Sequence, residues 1–277
     1  MTTRSAQLPL LLMGPMVRRA EQSGICIQFA TSRPGNCQIT LENQQSYSEQ
    51  QSIALGKYLY LHFIIIKPVD SQFPLDTLLA YTLHINEQKI DLTPWCFEGQ
   101  TAPSFAIANK LTHILHGSCR NAHHPAKDSL VSASEWQNTQ RSNKLQGAQL
   151  LLLSGDQVYA DDVAGPMLQA IQHVIARLGL FDEPLTGAVV DYASELTGHE
   201  HNFYERNQIL PQVDLNTPLS KLFFTAKRKP VFTSVNAHNH LISLSEIIAM
   251  YILVWSDALW AEISLDASVV PQRYRAQ

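Results

Sequence analysis

Two short segments hold residue types that could do chemistry, His116-Gly117-Ser118-Cys119-Arg120 and Gly155-Asp156-Gln157-Val158-Tyr159-Ala160-Asp161-Asp162. Each follows an apolar run, LTHIL in the first case and AQLLLLS in the second. A strand running into a polar loop is the arrangement in which open α/β sheets present their sites, outside the carboxyl ends of the strands. If the two strands are parallel neighbours, Cys119 and Asp156 share one edge of the sheet. A thiolate, a carboxylate and the phenolate of Tyr159 suit Fe(III) or zinc, while carboxylates also suit calcium or manganese. A metal held there would polarise a phosphoryl group and lower the pKa of bound water. The same residues have a plainer use, as an inert buried cysteine and an N-capping aspartate. Arg120 could grip a phosphate through its guanidinium fork or form a surface ion pair. His116 could donate to the cysteine or to a substrate, or be a satisfied histidine at the core edge. Asp161 could assist a metal or orient the loop, and Asp162 suits a helix cap.

Other polar clusters point less directly to a site. His123 and His124 are adjacent, so their side chains diverge on any regular element. His199 and His201 would share a face on a strand but not on a helix. His238 and His240 stand beside an expected helix start and read better as loop-positioning groups than as ligands. Lys227-Arg228-Lys229 reads as a solvated run. There is no GxxxxGK, GxGxxG or GxSxG motif. A thiol nucleophile at Cys119 lacks an identifiable base.

The elements that must position these loops follow from patterning. The segments LPLLLMG, GICIQFATS, NCQITLE, SIALGKYLYLHFIIIKP and LLAYTLHINEQKIDL are rich in β-branched and aromatic residues and are separated by turn residues. Ile25, Ile27 and Phe29 alternate with Cys26 and Gln28, the period of a half-buried strand. This predicts an antiparallel β-sandwich over residues 1–105. From 106 to 277 the apolar runs become continuous, as in parallel strands covered on both faces, and helices follow. Met167, Ala170, Ile171, Val174 and Leu178 predict a helix from Val163 to Leu178, stopped by Gly179. Further helices are expected over Leu196–Ile209 and Thr217–Phe224. Ser243 is placed to cap LSEIIAMYILVW, with Glu246 at the third helical position.

Composition narrows the classes. The chain has 277 residues, 45% hydrophobic and 16% charged, with a formal charge of −4 and a pI near 6.2. It is neither a disordered chain nor a broadly basic nucleic-acid binder. Four cysteines at this length do not form a disulfide scaffold, which favours a reducing compartment. The apolar run near the start is interrupted by prolines, and Leu241–Trp255 is too short to cross a bilayer. The expectation is a cytoplasmic protein that does not enter a membrane.

GPMVRR, HGSCR, SGDQVYADD and FTSVNAHNHLISLSEIIAMYILVW together resemble the alkaline phosphatase D-like (PhoD-like) metallophosphoesterases, in family order and over nearly the whole chain. The resemblance implies an immunoglobulin-like domain followed by a partial α/β calcineurin-like phosphoesterase domain. It implies hydrolysis of a small phosphomonoester or phosphodiester at a centre containing iron and calcium, with zinc or manganese as substitutes. By the same resemblance Cys119 would bind iron, Asp156 would bridge metals and Tyr159 would join the iron shell. The family's downstream Asp-Asp-His segment and its later His segment have no counterpart in this sequence. The expectation is therefore a truncated member, impaired as this chain alone. The alternative is a non-catalytic binding or accessory fragment. Only two continuous apolar strands occur after residue 105, fewer than an open sheet normally uses. An unpaired edge would favour a homodimer or a complementary C-terminal polypeptide.

Overall fold

The computed structural model describes residues 8–69, 72–120, 127–140, 147–214, 228–230 and 237–266, with Ser268 and Gln272. The chain is mostly β-sheet with some helices. It divides into two compact units, residues 1–55 with 59–157, and residues 56–58 with 158–277.

In the first unit, β1 (Leu11–Glu21), β2 (Gly24–Thr31), β5 (Leu59–Pro68) and β4 (Ser46–Gly56) form one sheet in the order β1-β2-β5-β4. The second sheet is built on β6 (Leu78–Ile85), which pairs with β3 (Cys37–Leu41), β7 (Gln88–Lys89) and β8 (Ser104–Ala106). Alternation decides which side chains enter the core. Ile25, Ile27 and Phe29 lie opposite Ile66, Ile64 and His62, and Cys37, Ile39 and Leu41 lie opposite Ile85, Leu83 and Tyr81. These residues share one apolar cluster drawn from both sheets, apart from His62, which is also buried. Full burial of each large aliphatic side chain contributes roughly 1.5–3 kcal/mol. The run SIALGKYLYLHFIIIKP is two strands, not one, because the chain turns after Gly56. LLAYTLHINEQKIDL likewise turns at Asn86 and Glu87, both at positive φ (48° and 66°).

The change of patterning near residue 105 marks a change of pairing within this unit. β9 (Ile114–Gly117) and β10 (Leu150–Leu153) run parallel, in register from Leu150 against Ile114 to Leu153 against Gly117. Unlike the covered strands expected from so continuous an apolar run, Ile114, Leu150, Leu151 and Leu152 are exposed. Between the strands lies α1 (Ser129–Gln140), which buries none of its residues. Its polar sequence gave no apolar period from which to foresee it.

In the second unit, α2 (Gly165–Leu178) packs on α3 (Leu244–Trp255). The α2 stripe Leu168, Ile171, Val174 and Leu178 is fully buried, and Gly179 ends the helix in the left-handed conformation at φ 57°. Ser243 and Glu246 form a complete capping box at the start of α3. Asp162 does not cap α2: its N-cap is Ala164, with no side-chain bond. No helix spans Leu196–Ile209. Two 3-10 turns, Ala193–Gly198 and Arg206–Gln208, occupy this stretch, separated by extended His199 and by Glu205 at φ 63°. The short strands β11 (Gln212–Asp214) and β12 (Arg228–Pro230) pair antiparallel. Thr217–Phe224 lies outside the described residues. No described helix is long and apolar enough to cross a membrane.

Candidate functional site

The parallel pairing of β9 and β10 brings the two chemistry-bearing loops together. The ladder is extended by Ser154 N–H donating to Gly117 O (3.0 Å) and then by Arg120 N–H donating to Asp156 O (2.9 Å). Beyond the strand ends, Cys119 Sγ lies 3.6 Å from Asp156 Oδ2 and 3.1 Å from Ser118 Oγ. Both Cys119 and Asp156 are exposed. The loop is tight. Cys119 holds the left-handed conformation at φ 57°, an uncommon one for a residue with a Cβ. A Cβ added at Gly155 would overlap Ser118 Oγ and touch Cys119 Sγ at 3.4 Å. Gly155 thus leaves room for the Ser118 hydroxyl, which itself lies 3.1 Å from the thiol.

Of the four thiols, all free, Cys119 is the exposed one. Burial pushes Cys37 up to about 11 and raises Cys26 as well, which keeps both as protonated thiols rather than ligands.

His116 Nε2 lies 2.6 Å from Ser154 Oγ across the strand pair. The Arg120 guanidinium forks onto Asp128, with Nη2 donating to Oδ2 at 2.6 Å and Nε reaching both carboxylate oxygens. Those bonds hold Asp128 below the usual carboxylate range, against the opposing effect of desolvation. Asp128 also accepts from Leu130 N–H at the start of α1 (3.0 Å), so one carboxylate both tethers the arginine and supports the helix.

Sequence reasoning missed Asp128 and Gln157. The Gln157 amide donates to Gly155 O, while its buried Oε1 has no partner among the described residues. An acceptor left unpaired in this loop suits a cation or a ligand donor. An open cleft of about 510 Å³, lined by Trp95, Phe105, Gln137 and Gln149 among others, was also not foreseen and contains none of the candidate ligands.

Tyr159 and Asp161 belong to the second unit, where both are half-buried. Asp162, at φ 54°, accepts from Asn239 Nδ2 (3.2 Å), and Leu241 N–H donates to Ala160 O (2.6 Å). Asn239 and Leu241 therefore brace the YADD loop. His238 stacks on Tyr204 and His240 bonds to Leu241 O. His199 and His201 sit with rings 5.4 Å apart, His201 also lying 3.3 Å from Glu205. His123 and His124 lie outside the described residues.

The thiolate and carboxylate together fit an iron or zinc ion in kind, and the carboxylate alone a calcium ion. In number they fall short: among the described residues, no three His, Cys, Asp or Glu side chains are grouped so as to hold a metal ion. Open catalytic sites for zinc use three protein ligands, and the described pair supplies two. Comparison of this chain with family models, with curated proteins and with solved structures finds no match.

Proposed function

We propose that this chain is a metal-dependent phosphoester hydrolase, with Cys119 and Asp156 as a thiolate and a carboxylate donor to one ion. The observation that carries the reading is the approach of Cys119 Sγ to 3.6 Å from Asp156 Oδ2 at the ends of two parallel strands. When bound, a metal ion supplies Lewis-acid polarisation of the phosphoryl group and a more acidic water. Tyr159 is the third donor implied by the resemblance to PhoD-like enzymes, with Asp161 and His116 in supporting places. Arg120 takes the substrate phosphate by exchanging it for Asp128. In this reading the two sheets built on β2 and β6 are the immunoglobulin-like domain, and the β9–β10 pair belongs to a calcineurin-like sheet. Iron with calcium is the expected metal content, zinc or manganese the substitutes.

The second reading is a non-catalytic accessory fragment that works with another polypeptide. The two-donor set among the described residues favours it, as does the exposure of Leu150, Leu151 and Leu152. The experiment separates the two. The purified chain is analysed for bound iron, calcium, zinc and manganese, then assayed on p-nitrophenyl phosphate and bis-p-nitrophenyl phosphate with and without chelator. Chelator-sensitive turnover, lost with Asp156→Asn and with Cys119→Ser, supports the hydrolase. Folded, metal-free protein without turnover after metal addition refutes it and leaves the accessory reading.

A further inference from the structure

A second constellation lies in the two-sheet unit, on strands that play no part in the Cys119–Asp156 pair. His62, on β5, is buried at 1% exposure. Its ring nitrogens meet two hydroxyls and an amide: Nε2 lies 2.8 Å from Thr31 Oγ1 on β2, while Nδ1 lies 2.8 Å from Ser52 Oγ and, at the longer distance of 3.4 Å, from Gln50 Nε2, both on β4. The ring is further fixed by Phe29, whose centroid is 5.1 Å away.

The hydrogen-bond arithmetic settles which nitrogen carries the proton. A hydroxyl has one hydrogen to donate. The Thr31 hydroxyl gives its hydrogen to Arg33 O (2.7 Å), so towards His62 its oxygen can only accept. Nε2 must then be the N–H, and the neutral ring presents the Nδ1 lone pair to Ser52. Burial lowers the affinity of His62 for a second proton, which keeps that lone pair available near neutral pH. Ser52 Oγ also accepts from Gln50 Nε2 (2.7 Å), leaving its own hydrogen for Nδ1. Gln50 is in turn anchored by donating to Gly35 O (2.9 Å) and accepting from Cys37 N–H (2.7 Å). The imidazole is thus buried, while the serine on its far side is exposed.

A nucleophile within hydrogen-bond reach of a base, the base oriented by a third group, is the arrangement that activates serine for acyl transfer. We propose that Ser52 is a nucleophile towards small, sterically open carboxylic esters, with His62 as general base and Thr31 as the residue that positions the ring. In the first step Ser52 Oγ bonds to the ester carbonyl carbon as its proton passes to Nδ1, and the alcohol leaves with that proton. In the second step water attacks the acyl-serine and gives one proton to Nδ1. The acid leaves, and the proton returns to Ser52. The sum is ester plus water to acid plus alcohol.

The test uses the full chain with a fluorophosphonate probe, followed by intact mass and peptide mapping, and with p-nitrophenyl acetate under burst conditions. The expected result is a single adduct on Ser52 and a burst that Ser52→Ala abolishes. Ser52 is exposed, so this variant retains the fold. Thr31→Val strands the buried Nε2–H and Arg33 O, so burst rate and melting should both fall. Thr31→Ser, which keeps the hydroxyl, should retain both, and the pH profile of the burst should move in Thr31→Val alone. Absence of an adduct, an adduct on another residue, or a burst unchanged in Ser52→Ala overturns the proposal. Because Asp156→Asn leaves these three residues untouched, it should not alter the burst, and this result holds whether or not the phosphoesterase reading survives.

Discussion

The buried ion pair between Arg206 and Glu246 offers the sharpest energetic prediction. Arg206 is 0% exposed and Glu246 2%. Nη2 donates to Oε1 at 2.6 Å, and Nη1 donates to Asn202 O at 2.7 Å. The second carboxylate oxygen accepts from the N–H groups of Ile242 (2.7 Å) and Ser243 (3.2 Å), holding the start of α3. Removing one partner of such a pair costs about 3–5 kcal/mol, because the other charge stays buried and uncompensated. Glu246→Gln keeps an oxygen for the Ile242 amide, so its cost comes from the stranded guanidinium and falls in that range. Glu246→Ala also abandons the two backbone donors and should cost about 1–3 kcal/mol more. Arg206→Met should cost least, since the carboxylate it leaves behind retains two N–H donors and the favourable end of a helix dipole. Combining Arg206→Met with Glu246→Gln should cost less than the two singles summed, by the coupling expected of a broken pair. The assay is urea unfolding followed by Trp255 and Trp260, which lie in this unit, paired with amide exchange along α3. A loss below about 1 kcal/mol for Glu246→Gln, against the range expected for a broken buried pair, would refute the reasoning. Strict additivity in the double variant would do the same.

Two further outcomes follow from particular contacts. Gly155→Ala should place a methyl against Ser118 Oγ, turn that exposed hydroxyl away from Cys119 and change the alkylation rate of the thiol; unaltered alkylation would show that the loop has slack. The His62 imidazole is pushed below its ordinary value by burial alone, and its contacts Phe29, Thr31, Gln50 and Ser52 carry no charge. Below about pH 6.5 the unfolded chain takes up a proton that the folded one resists. The stability of the first unit should therefore be full above that pH, fall as pH drops through it, and level off below the folded value. Melting from pH 8 to pH 5 should show this slope, and His62→Gln should flatten it.

The parts of the fold that were legible are those whose signal is local. Alternation in Ile25, Ile27 and Phe29 announced a half-buried strand, and the spacing of Met167, Ala170, Ile171, Val174 and Leu178 announced α2, although Leu168, not the half-buried Met167, joins the buried stripe. Ser243 and Glu246 announced the cap of α3 because a capping box is complete within four residues. Where the signal was not local, the sequence said less. Helix α1 buries nothing and so had no stripe to read. The expected helix over Leu196–Ile209 had suitable composition but meets Glu205 in a left-handed conformation. The link from Arg120 to Asp128 required knowing α1. The link from Arg206 to Glu246 crosses forty positions, and nothing in either residue's neighbourhood names the other.

The candidate site divides along the same line. Strand-then-loop order located Cys119 and Asp156, and continuous leucines suggested that their strands run parallel, but motif spacing does not fix how the thiol is aimed. The aim comes from backbone. Cys119 is held at φ 57°, where a Cβ-bearing residue is disfavoured by roughly 1–2 kcal/mol. The glycine that relieves crowding is Gly155, on the other loop, not Gly117, two residues before the thiol. In the pairing, Gly117 lies opposite Leu153, and a Cβ there would make only an ordinary contact with the Leu153 side chain (3.7 Å). The Ser118 hydroxyl on one loop thus fits because a side chain is missing on the other. That division of labour depends on the β9–β10 register. A one-residue slip would set a different residue against Ser118 and carry Asp156 along the strand. The closeness of Cys119 and Asp156 is consequently a property of strand register more than of either motif, and a perturbation that shifts the register should abolish their approach while leaving both motifs intact.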